Sequence, residues 1–224
     1  INSHTPKGML GINIGPNMNT TNKLEDYLIC LRKFHKLCDY LTINISSPNT
    51  ENLRNFHNKS ELDQLLKTIQ EEKKILKSKV LIALKISPDI EEKNISNISE
   101  LLLKYEVDMV IISNSSDQNR NNLKNINKLE KGGLSGKPLE KKSNILINKF
   151  YKILKNRVKI IGVGGVDSGK SAYEKIINGA TLVQLYTGMI YKGPNIVSNI
   201  SKELINILKS EGMKNISEAI GIKN

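Results

Sequence analysis

Six short apolar runs, rich in β-branched residues, alternate along the chain with longer amphipathic segments. Each run is apolar almost throughout, which is typical of a strand buried on both faces of a parallel sheet. We therefore predict six parallel strands, each followed by a helix. The predicted strands are 9–15, 41–46, 80–87, 109–114, 159–164 and 182–187.

The segments between these runs have helical periodicity. Leu62, Leu65 and Ile69, for example, recur at the three- and four-residue spacing that places apolar side chains on one helix face. Pro138 suits the first turn of a helix, because the N–H that proline lacks has no helical partner there. The predicted helices are 24–37, 60–76, 91–105, 138–154, 168–178 and 195–210.

Six successive βα units fit two architectures, an open doubly wound sheet and a (β/α)8 barrel of which roughly strands 3–8 are present. Nearly every predicted strand ends in a polar residue or a glycine. An open sheet gathers its site at one switch point, whereas a barrel draws its site from many strand ends. The pattern favours an α/β chain in which residues 1–224 form one partial TIM-barrel catalytic domain.

The formal net charge is +12, from 34 Lys and Arg against 22 Asp and Glu. A basic surface can indicate nucleic-acid binding. Here only four of the basic residues are arginines, the lysines are spread over the whole chain, and no basic run is interleaved with aromatic residues. We predict no nucleic-acid partner. A basic binding module without catalysis is kept as a distant alternative.

Cysteine and histidine residues indicate neither a disulfide nor a metal site. Cys30 and Cys38 lie two turns apart on one predicted helix, too far for a disulfide. The three histidines have no metal-ligand spacing, so no metal is predicted. The sequence also has no apolar stretch near the length of about 20 residues that a membrane-spanning helix needs.

The segment 44–50, Asn-Ile-Ser-Ser-Pro-Asn-Thr, carries the strongest sign of chemistry. A strand ends there in polar residues, and Pro48 stops it, so that two serines and two amide side chains project into one small volume. Each amide offers a donor and an acceptor, which suits a flat heterocycle. An ordinary Asn-rich turn explains the same residues equally well, so the segment by itself leaves both interpretations open.

A lysine and two glycine clusters indicate an anionic ligand. Lys85 closes an apolar strand, where a lysine is desolvated unless an anion pairs with it. The clusters 132–136 and 162–166 contain three glycines each, and the second lies directly after a strand and before a helix. Together with Tyr186, Thr187 and Gly188 on the last predicted strand, they fall where barrels bind phosphate through backbone N–H groups.

These motifs, taken in order, resemble the class 2 dihydroorotate dehydrogenase family over residues 11–221. The motifs are Gly-Ile-Asn-Ile-Gly (11–15), Asn-Ile-Ser-Ser-Pro-Asn-Thr (44–50), Leu-Arg (53–54), Lys-Ile-Ser-Pro-Asp (85–89), Ser-Asn-Ser (113–115), Gly-Gly-Leu-Ser-Gly-Lys-Pro-Leu (132–139), Ile-Gly-Val-Gly-Gly-Val (161–166) and Gln-Leu-Tyr-Thr (184–187). The resemblance implies a (β/α)8 barrel that contains FMN and oxidises dihydroorotate to orotate in pyrimidine synthesis. Another FMN-dependent or phosphate-binding barrel oxidoreductase is the alternative.

The resemblance also implies a role for individual residues. Ser47 would be the catalytic base that removes the C5 proton of the substrate, where class 1 members have cysteine. Loop 48–58 would be a lid over it. The substrate-binding residues would be Asn44, Asn49, Asn114 and Ser115. The cofactor-binding residues would be Asn13, Asn44, Lys85, Ser113, Gly136, Gly165, Tyr186 and Thr187.

A class 2 assignment implies ubiquinone or another membrane quinone as the electron acceptor. It implies a peripheral location on the cytoplasmic face of a bacterial inner membrane, or on the mitochondrial inner membrane in a eukaryote. We expect a membrane-associating N-terminal region and the first two barrel strands to be missing from this chain, which begins without Met. We expect the 224 residues alone to be inactive.

The sequence departs from the family pattern in two of these motifs. Glu51-Asn52 stands where family members often have Pro-Gly, and Ser113 stands where Thr is more usual. The first difference bears on the stiffness of the lid, and the second keeps the hydroxyl group.

Overall fold

The computed structural model describes residues 8–47, 53–118 and 120–224. Its centre is a sheet of six parallel strands in which each strand pairs with the next one along the chain. The strands are β1 (Gly11–Ile14), β2 (Tyr40–Asn44), β3 (Leu81–Ile86), β4 (Met109–Ile112), β5 (Lys159–Val163) and β6 (Leu182–Gln184). This order is that of consecutive βα units in a barrel, as predicted, and no pairing joins β1 to β6 within the described residues.

Seven α-helices accompany the strands in the described part of the chain. They are α1 (Lys23–Phe34), α2 (Lys59–Ile75), α3 (Glu92–Lys104), α4 (Glu140–Leu154), α5 (Gly169–Ile177), α6 (Thr187–Lys192) and α7 (Ile196–Ser210). Each predicted helix is present, with ends shifted by a few residues. Helix α4 begins at Glu140 and not at Pro138, because a 3-10 turn at Lys137–Leu139 precedes it.

The end of β6 differs from the prediction. The sequence predicts a strand over 182–187, but the strand has three residues, and Thr187 is the first residue of helix α6. Met189 N–H donates to the Tyr186 carbonyl at 3.0 Å, which closes the first turn of this helix. Tyr186 and Thr187 therefore lie after the strand, in the turn that joins it to a helix.

Alternate residues of the strands face opposite sides of the sheet. Ile82, Leu84 and Val110 pack outward against the helices in the main core, together with Tyr27 and Phe150. The other parity faces inward and forms a separate small cluster: Ala83, Met109, Ile111 and Ile161, with Tyr40 and Val163 against it. Gln184 of β6 donates to the Tyr40 hydroxyl at 3.3 Å across this inner side. Side chains at these inward-facing positions are therefore the ones that can form a site on the inner side of the sheet.

Candidate active site

Polar side chains at inward-facing positions lie at the carboxyl ends of neighbouring strands. Asn44 is in register with Lys85, and Lys85 with Ile111, two residues before Ser113. A β-strand directs every second side chain to the same face, so these side chains share the inner face with Ala83 and Ile111. Asn13 of β1 is in register with Thr42 and is exposed.

Amide and hydroxyl groups form a compact network at this end of the sheet. Asn44 Oδ1 accepts hydrogen bonds from Ser46 Oγ at 3.0 Å and from Asn114 Nδ2 at 3.3 Å. Asn114 Nδ2 also donates to Ser46 Oγ at 3.0 Å, and Asn114 Oδ1 accepts from Ser115 N–H at 2.8 Å. These bonds fix the orientation of both amides and hold Asn44 and Asn114 side by side.

A buried tyrosine supports this network from outside. The Tyr27 hydroxyl on α1 donates to the Asn44 carbonyl at 2.7 Å. Tyr27 is fully buried, and burial raises the pKa of its hydroxyl well above the ordinary value, so the group stays a neutral donor. The strand end that carries Asn44 is thereby tied to the helix layer.

The predicted catalytic segment is described only in part. Ser47 is half-buried and directly follows Ser46, whose hydroxyl belongs to the network. Asn49 and the predicted departures at Glu51 and Asn52 lie outside the described residues. The remainder of the predicted lid forms a 3-10 helix, Leu53–His57.

Lys85 is a half-buried cation at the mouth of the sheet. Burial lowers the pKa of its amino group from the ordinary value. Among the residues that the structure describes, none accepts a hydrogen bond from Lys85 or pairs with it. Beside it, Ser113 is buried and its N–H donates to the Val163 carbonyl at 3.2 Å. An anionic or acceptor-rich ligand would satisfy Lys85 at this position.

One cavity of about 740 Å³ brings most of the predicted residues together. Such a volume suits a ligand of cofactor size. The predicted residues that line it are Lys85, Ser113, Asn114, Ser115, Gly136, Gly165, Tyr186 and Thr187. Asn13, Asn44 and Ser47 are not part of its lining, although Asn44 is hydrogen-bonded to Asn114.

The end of this cavity that is formed by Gly136, Gly165 and Thr187 is lined mainly by backbone atoms. Gly136 and Gly165 have φ angles of 79° and 78°, in the left-handed region that favours glycine. A Cβ on Gly136 would lie 2.8 Å from Thr187 Cγ2, and a Cβ on Gly165 would lie 2.5 Å from Glu140 Cβ. Ser135 Oγ and Thr187 Oγ1 are 2.9 Å apart. The arrangement requires glycine twice and leaves backbone N–H groups and hydroxyls for an anion.

Sequence reasoning missed the charged residues around that end. Lys137 pairs with Glu140 at 2.5 Å and with Asp167 at 3.5 Å, and Lys192 donates to the Asp167 carbonyl at 2.8 Å. Lys137, Asp167 and Lys192 also line the cavity. Lys137 and Asp167 directly follow glycine motifs that were recognised, but their pairing depends on the packing of three separate segments.

A second missed group surrounds Asp89, whose side chain is only 1% exposed. Lys142 and the Ser116 hydroxyl both bind this carboxylate. Asp89 ends the Lys-Ile-Ser-Pro-Asp motif (85–89), but nothing in that motif indicates that the carboxylate is buried and shared.

Residues 8–47, 53–118 and 120–224 contain neither a metal-ligand cluster nor a membrane-spanning helix. No three His, Cys, Asp or Glu side chains in these ranges are grouped so that they could hold a metal ion. None of the helices there combines the length and apolar character that crossing a bilayer demands.

Comparison with known proteins identifies the family. The family model described as dihydroorotate dehydrogenase matches residues 2–208. The chain belongs to the dihydroorotate dehydrogenase family. The family inferred from the motifs and the predicted partial (β/α)8 barrel are therefore confirmed. Members of this family are flavin-dependent.

Individual relatives agree with the family match. Dihydroorotate dehydrogenase (quinone) of Buchnera aphidicola subsp. Schizaphis graminum is 45% identical over 204 residues, which cover 88% of this chain and 61% of the relative. The protein of the same name from Bartonella tribocorum is 41% identical over 217 residues, which cover 94% of this chain and 60% of the relative. The chain thus spans about three fifths of the length of these curated relatives.

A solved structure of the family superposes closely. The crystal structure of DHODH from Eimeria tenella in complex with ferulenol matches with a TM-score of 0.93 at 34% identity, covering 96% of this chain and 62% of that one. The ligand-free form from the same organism matches with a TM-score of 0.89. The open edges of the sheet at β1 and β6 lie where a complete barrel would continue.

Proposed function

We propose that this chain is part of a quinone-dependent dihydroorotate dehydrogenase that oxidises dihydroorotate to orotate with FMN. The observation that carries the proposal is one cavity that is lined by the amide of Asn114, the cation of Lys85 and two glycine loops, with Asn44 hydrogen-bonded to Asn114 beside it. The names of the relatives support the substrate and the acceptor.

The residues of the cavity fit FMN at both ends. The loops at Gly136 and Gly165, with the backbone and side chain of Tyr186 and Thr187, would hold the ribityl phosphate. Their support is the close packing that excludes a Cβ at both glycines. Lys85, Ser113, Asn44 and Asn13 would contact the ring system and the ribityl chain. Lys85 would find there the acceptor that the described residues do not supply.

The substrate would bind between the amides and the flavin. Asn44, Asn49, Asn114 and Ser115 would hold the ring and carboxylate of dihydroorotate, because amides match the donors and acceptors of a pyrimidine dione. When bound, FMN accepts the hydride that the oxidation removes from the substrate. Ser47 would remove the C5 proton, and the half-buried position of Ser47 supports this role, since a hydroxyl is a weak base unless its surroundings activate it.

A membrane quinone is the proposed final acceptor. The names of the relatives, dihydroorotate dehydrogenase (quinone), support this acceptor. We place the protein peripherally on the cytoplasmic face of a bacterial inner membrane, or on the mitochondrial inner membrane in a eukaryote. A part of the full-length protein outside this chain would provide the membrane contact, since the chain spans about three fifths of its relatives' length.

Anaerobic mixing of the full-length protein with dihydroorotate tests the proposal. The purified protein should be yellow and release FMN when it is denatured, and dihydroorotate should bleach the flavin absorbance. Reoxidation should be fast with a soluble ubiquinone analogue and slow with fumarate or NAD. A flavin that dihydroorotate does not bleach would contradict the proposed reaction, and robust NADH formation would contradict the proposed acceptor.

A further inference from the structure

Asp89 is a buried carboxylate with partners from three separate segments. Its side chain is 1% exposed, it accepts from Ser116 Oγ at 2.7 Å and from Asp117 N–H at 3.3 Å, and Lys142 Nζ donates to it. Arg54 Nη2 stands 3.5 Å from Asp89 Oδ2. A buried charge is stable only when it is paired and hydrogen-bonded, and Asp89 meets that condition through residues that are distant in sequence.

The segments joined at Asp89 are those that carry the candidate substrate site. Arg54 follows Ser47 by seven positions in the same loop, and Ser116 directly follows Ser115. Asp89 itself lies in the turn after β3, the strand that carries Lys85. The carboxylate therefore connects the loops that follow β2, β3 and β4, at the end of the sheet where the candidate site lies.

A histidine provides a second attachment between the first two of these loops. His57 Nε2 accepts from Ser87 N–H at 3.2 Å, and His57 Nδ1 lies 2.9 Å from the Arg54 carbonyl as its donor. Burial lowers the pKa of His57 to about 4, which keeps the ring neutral with one acceptor and one donor nitrogen. The 3-10 helix Leu53–His57 is thus attached to the turn 87–89 at both of its ends.

Arg54 leaves part of its hydrogen-bonding capacity unused. Nη1 donates to Asp117 Oδ1 at 2.8 Å, but Nε and Nη2 are buried and have no hydrogen-bond partner within the described residues. Buried donors without acceptors are unfavourable, and the nearest carboxylate is that of Asp89 at 3.5 Å. The guanidinium of Arg54 therefore depends on Asp89 and Asp117 to balance its buried charge.

We propose that Asp89 is a positioning residue for dihydroorotate oxidation, which sets the placement of the Ser47 loop and of Asn114–Ser115 by binding Arg54, Ser116 and Lys142. This inference rests on the proposed function. Asp89 touches neither substrate nor flavin in this assignment. It acts through the loops that it joins, and small displacements of such loops have large effects on rate.

The test replaces Asp89 by Asn in the full-length, FMN-loaded protein, with Asp63→Asn as the matched control. Asp63 also pairs with a lysine, Lys104 at 2.7 Å, but on the outer helices α2 and α3. We expect Asp89→Asn to keep FMN, to slow flavin reduction at saturating dihydroorotate by about tenfold to a hundredfold, and to weaken orotate binding measured by the flavin difference spectrum. The control should change neither quantity by more than about twofold.

A readout without flavin chemistry accompanies the kinetics. Hydrogen exchange of peptides that contain Ser47 and Ser115 should accelerate in Asp89→Asn, whereas peptides of the glycine loop 162–166 should keep the wild-type rate. A purely structural residue would lower the melting temperature and FMN content but leave the reduction rate and orotate affinity of the FMN-bound fraction unchanged. That result would overturn the inference.

Two further outcomes remain decisive. If Asp89→Asn does not fold, Ser116→Ala removes one hydrogen bond from the carboxylate and should still slow reduction several-fold relative to the exposed control Ser201→Ala. An unchanged rate in Ser116→Ala would then overturn the positioning role. If the wild-type flavin is not reduced by dihydroorotate, the proposed function fails and the inference fails with it. Normal wild-type reduction with an unaffected Asp89→Asn rejects the positioning role alone.

Discussion

One side of the cavity, at the ends of β3 and β4 next to the Asn44–Ser46 network, presents side chains, whereas the other side, at Gly136, Gly165 and the turn after β6, presents mainly backbone. On the first side, amides and hydroxyls are fixed by mutual hydrogen bonds such as Asn114 Nδ2 to Ser46 Oγ at 3.0 Å. On the second side, glycines at positive φ bring the chain so close to Glu140 and Thr187 that a Cβ does not fit. Substitutions should therefore act through lost chemical groups on the first side and through added volume on the second.

The largest effect is expected from Ser47→Ala in the full-length protein. Loss of the proposed base should slow flavin reduction by about 10²–10⁴-fold, the usual contribution of a general base. FMN content should stay normal, because the phosphate loops lie on the other side. Anaerobic stopped-flow absorbance measures the rate. Ser47→Cys should retain part of the activity, because a thiolate is a good base near neutral pH. A near-normal rate in Ser47→Ala would remove the hydroxyl from the mechanism.

The stability of the loops on the first side, where side chains form the site, should also depend on pH. The pKa of buried His57 is lowered to about 4 in the folded state, so between about pH 6.5 and pH 4 the unfolded chain binds the extra proton. The free energy of unfolding that His57 contributes is therefore fully present above pH 6.5 and is lost as pH falls through this window. The loss amounts to about 3 kcal/mol.

Urea unfolding of wild type and His57→Gln at several pH values isolates this contribution. Carboxylates titrate in both proteins, so the difference between the two stabilities reports on His57. The difference should shrink as pH falls from 7 to 4. Two curves that stay parallel over this range would contradict the assignment of a depressed pKa to His57.

On the second side, where the backbone packs closely, adding a side-chain atom to a glycine should weaken FMN binding. In Gly165→Ala, the new Cβ would meet Glu140 Cβ at 2.5 Å and Glu140 Cα at 2.8 Å, so the loop must move. We expect FMN to bind at least about tenfold more weakly, which corresponds to about 1.4 kcal/mol. The control is Gly212→Ala, which has a similar φ of 71° but nothing within 4 Å of the new Cβ. Fluorescence titration of the apoprotein with FMN should show normal affinity in Gly212→Ala. Equal losses in both variants would attribute the effect to backbone strain alone.

The same division explains what could be predicted from sequence. Strand β3 and helix α2 match the predictions 80–87 and 60–76 closely, because uniform apolar runs and helical periodicity are local signals. The predicted strands 41–46 and 80–87 also placed Asn44 and Lys85 correctly near the ends of β2 and β3. Helix α6 could not be predicted, since it has six residues and its first residue is held by a contact of Thr187 with Ser135.

The cluster around Asp89 shows the limit of sequence reasoning most clearly. Asp89 and Lys142 are separated by 53 positions, and neither residue has a local signal that indicates the other. An acidic residue before a helix is adequately explained as a favourable interaction with the helix N-terminus. Only the packing of three loops over one end of the sheet shows that the carboxylate is buried and shared.

The smallest predicted effect compares two tyrosines whose hydroxyls donate to main-chain carbonyls, Tyr27 at the end of β2 and Tyr151 on helix α4. Tyr27 donates to the Asn44 carbonyl at 2.7 Å, and Tyr151 donates to the Ile220 carbonyl at 3.4 Å. Tyr27→Phe leaves a carbonyl at the strand end without its partner, so stability should fall by about 1 kcal/mol. Tyr151→Phe should cost less, since its bond is longer and weaker.

Urea unfolding of the two variants measures the costs, and orotate titration reports whether the loss at Tyr27 reaches the site. Because Asn44 also accepts from Ser46 and Asn114 through its side chain, we expect the amide to stay in place and orotate affinity to fall by no more than about threefold, which corresponds to about 0.6 kcal/mol. A larger fall in affinity in Tyr27→Phe would mean that the strand end is positioned by helix α1 and not by the amide network. A loss of stability in Tyr151→Phe as large as that in Tyr27→Phe would contradict the distinction drawn from the two bond lengths.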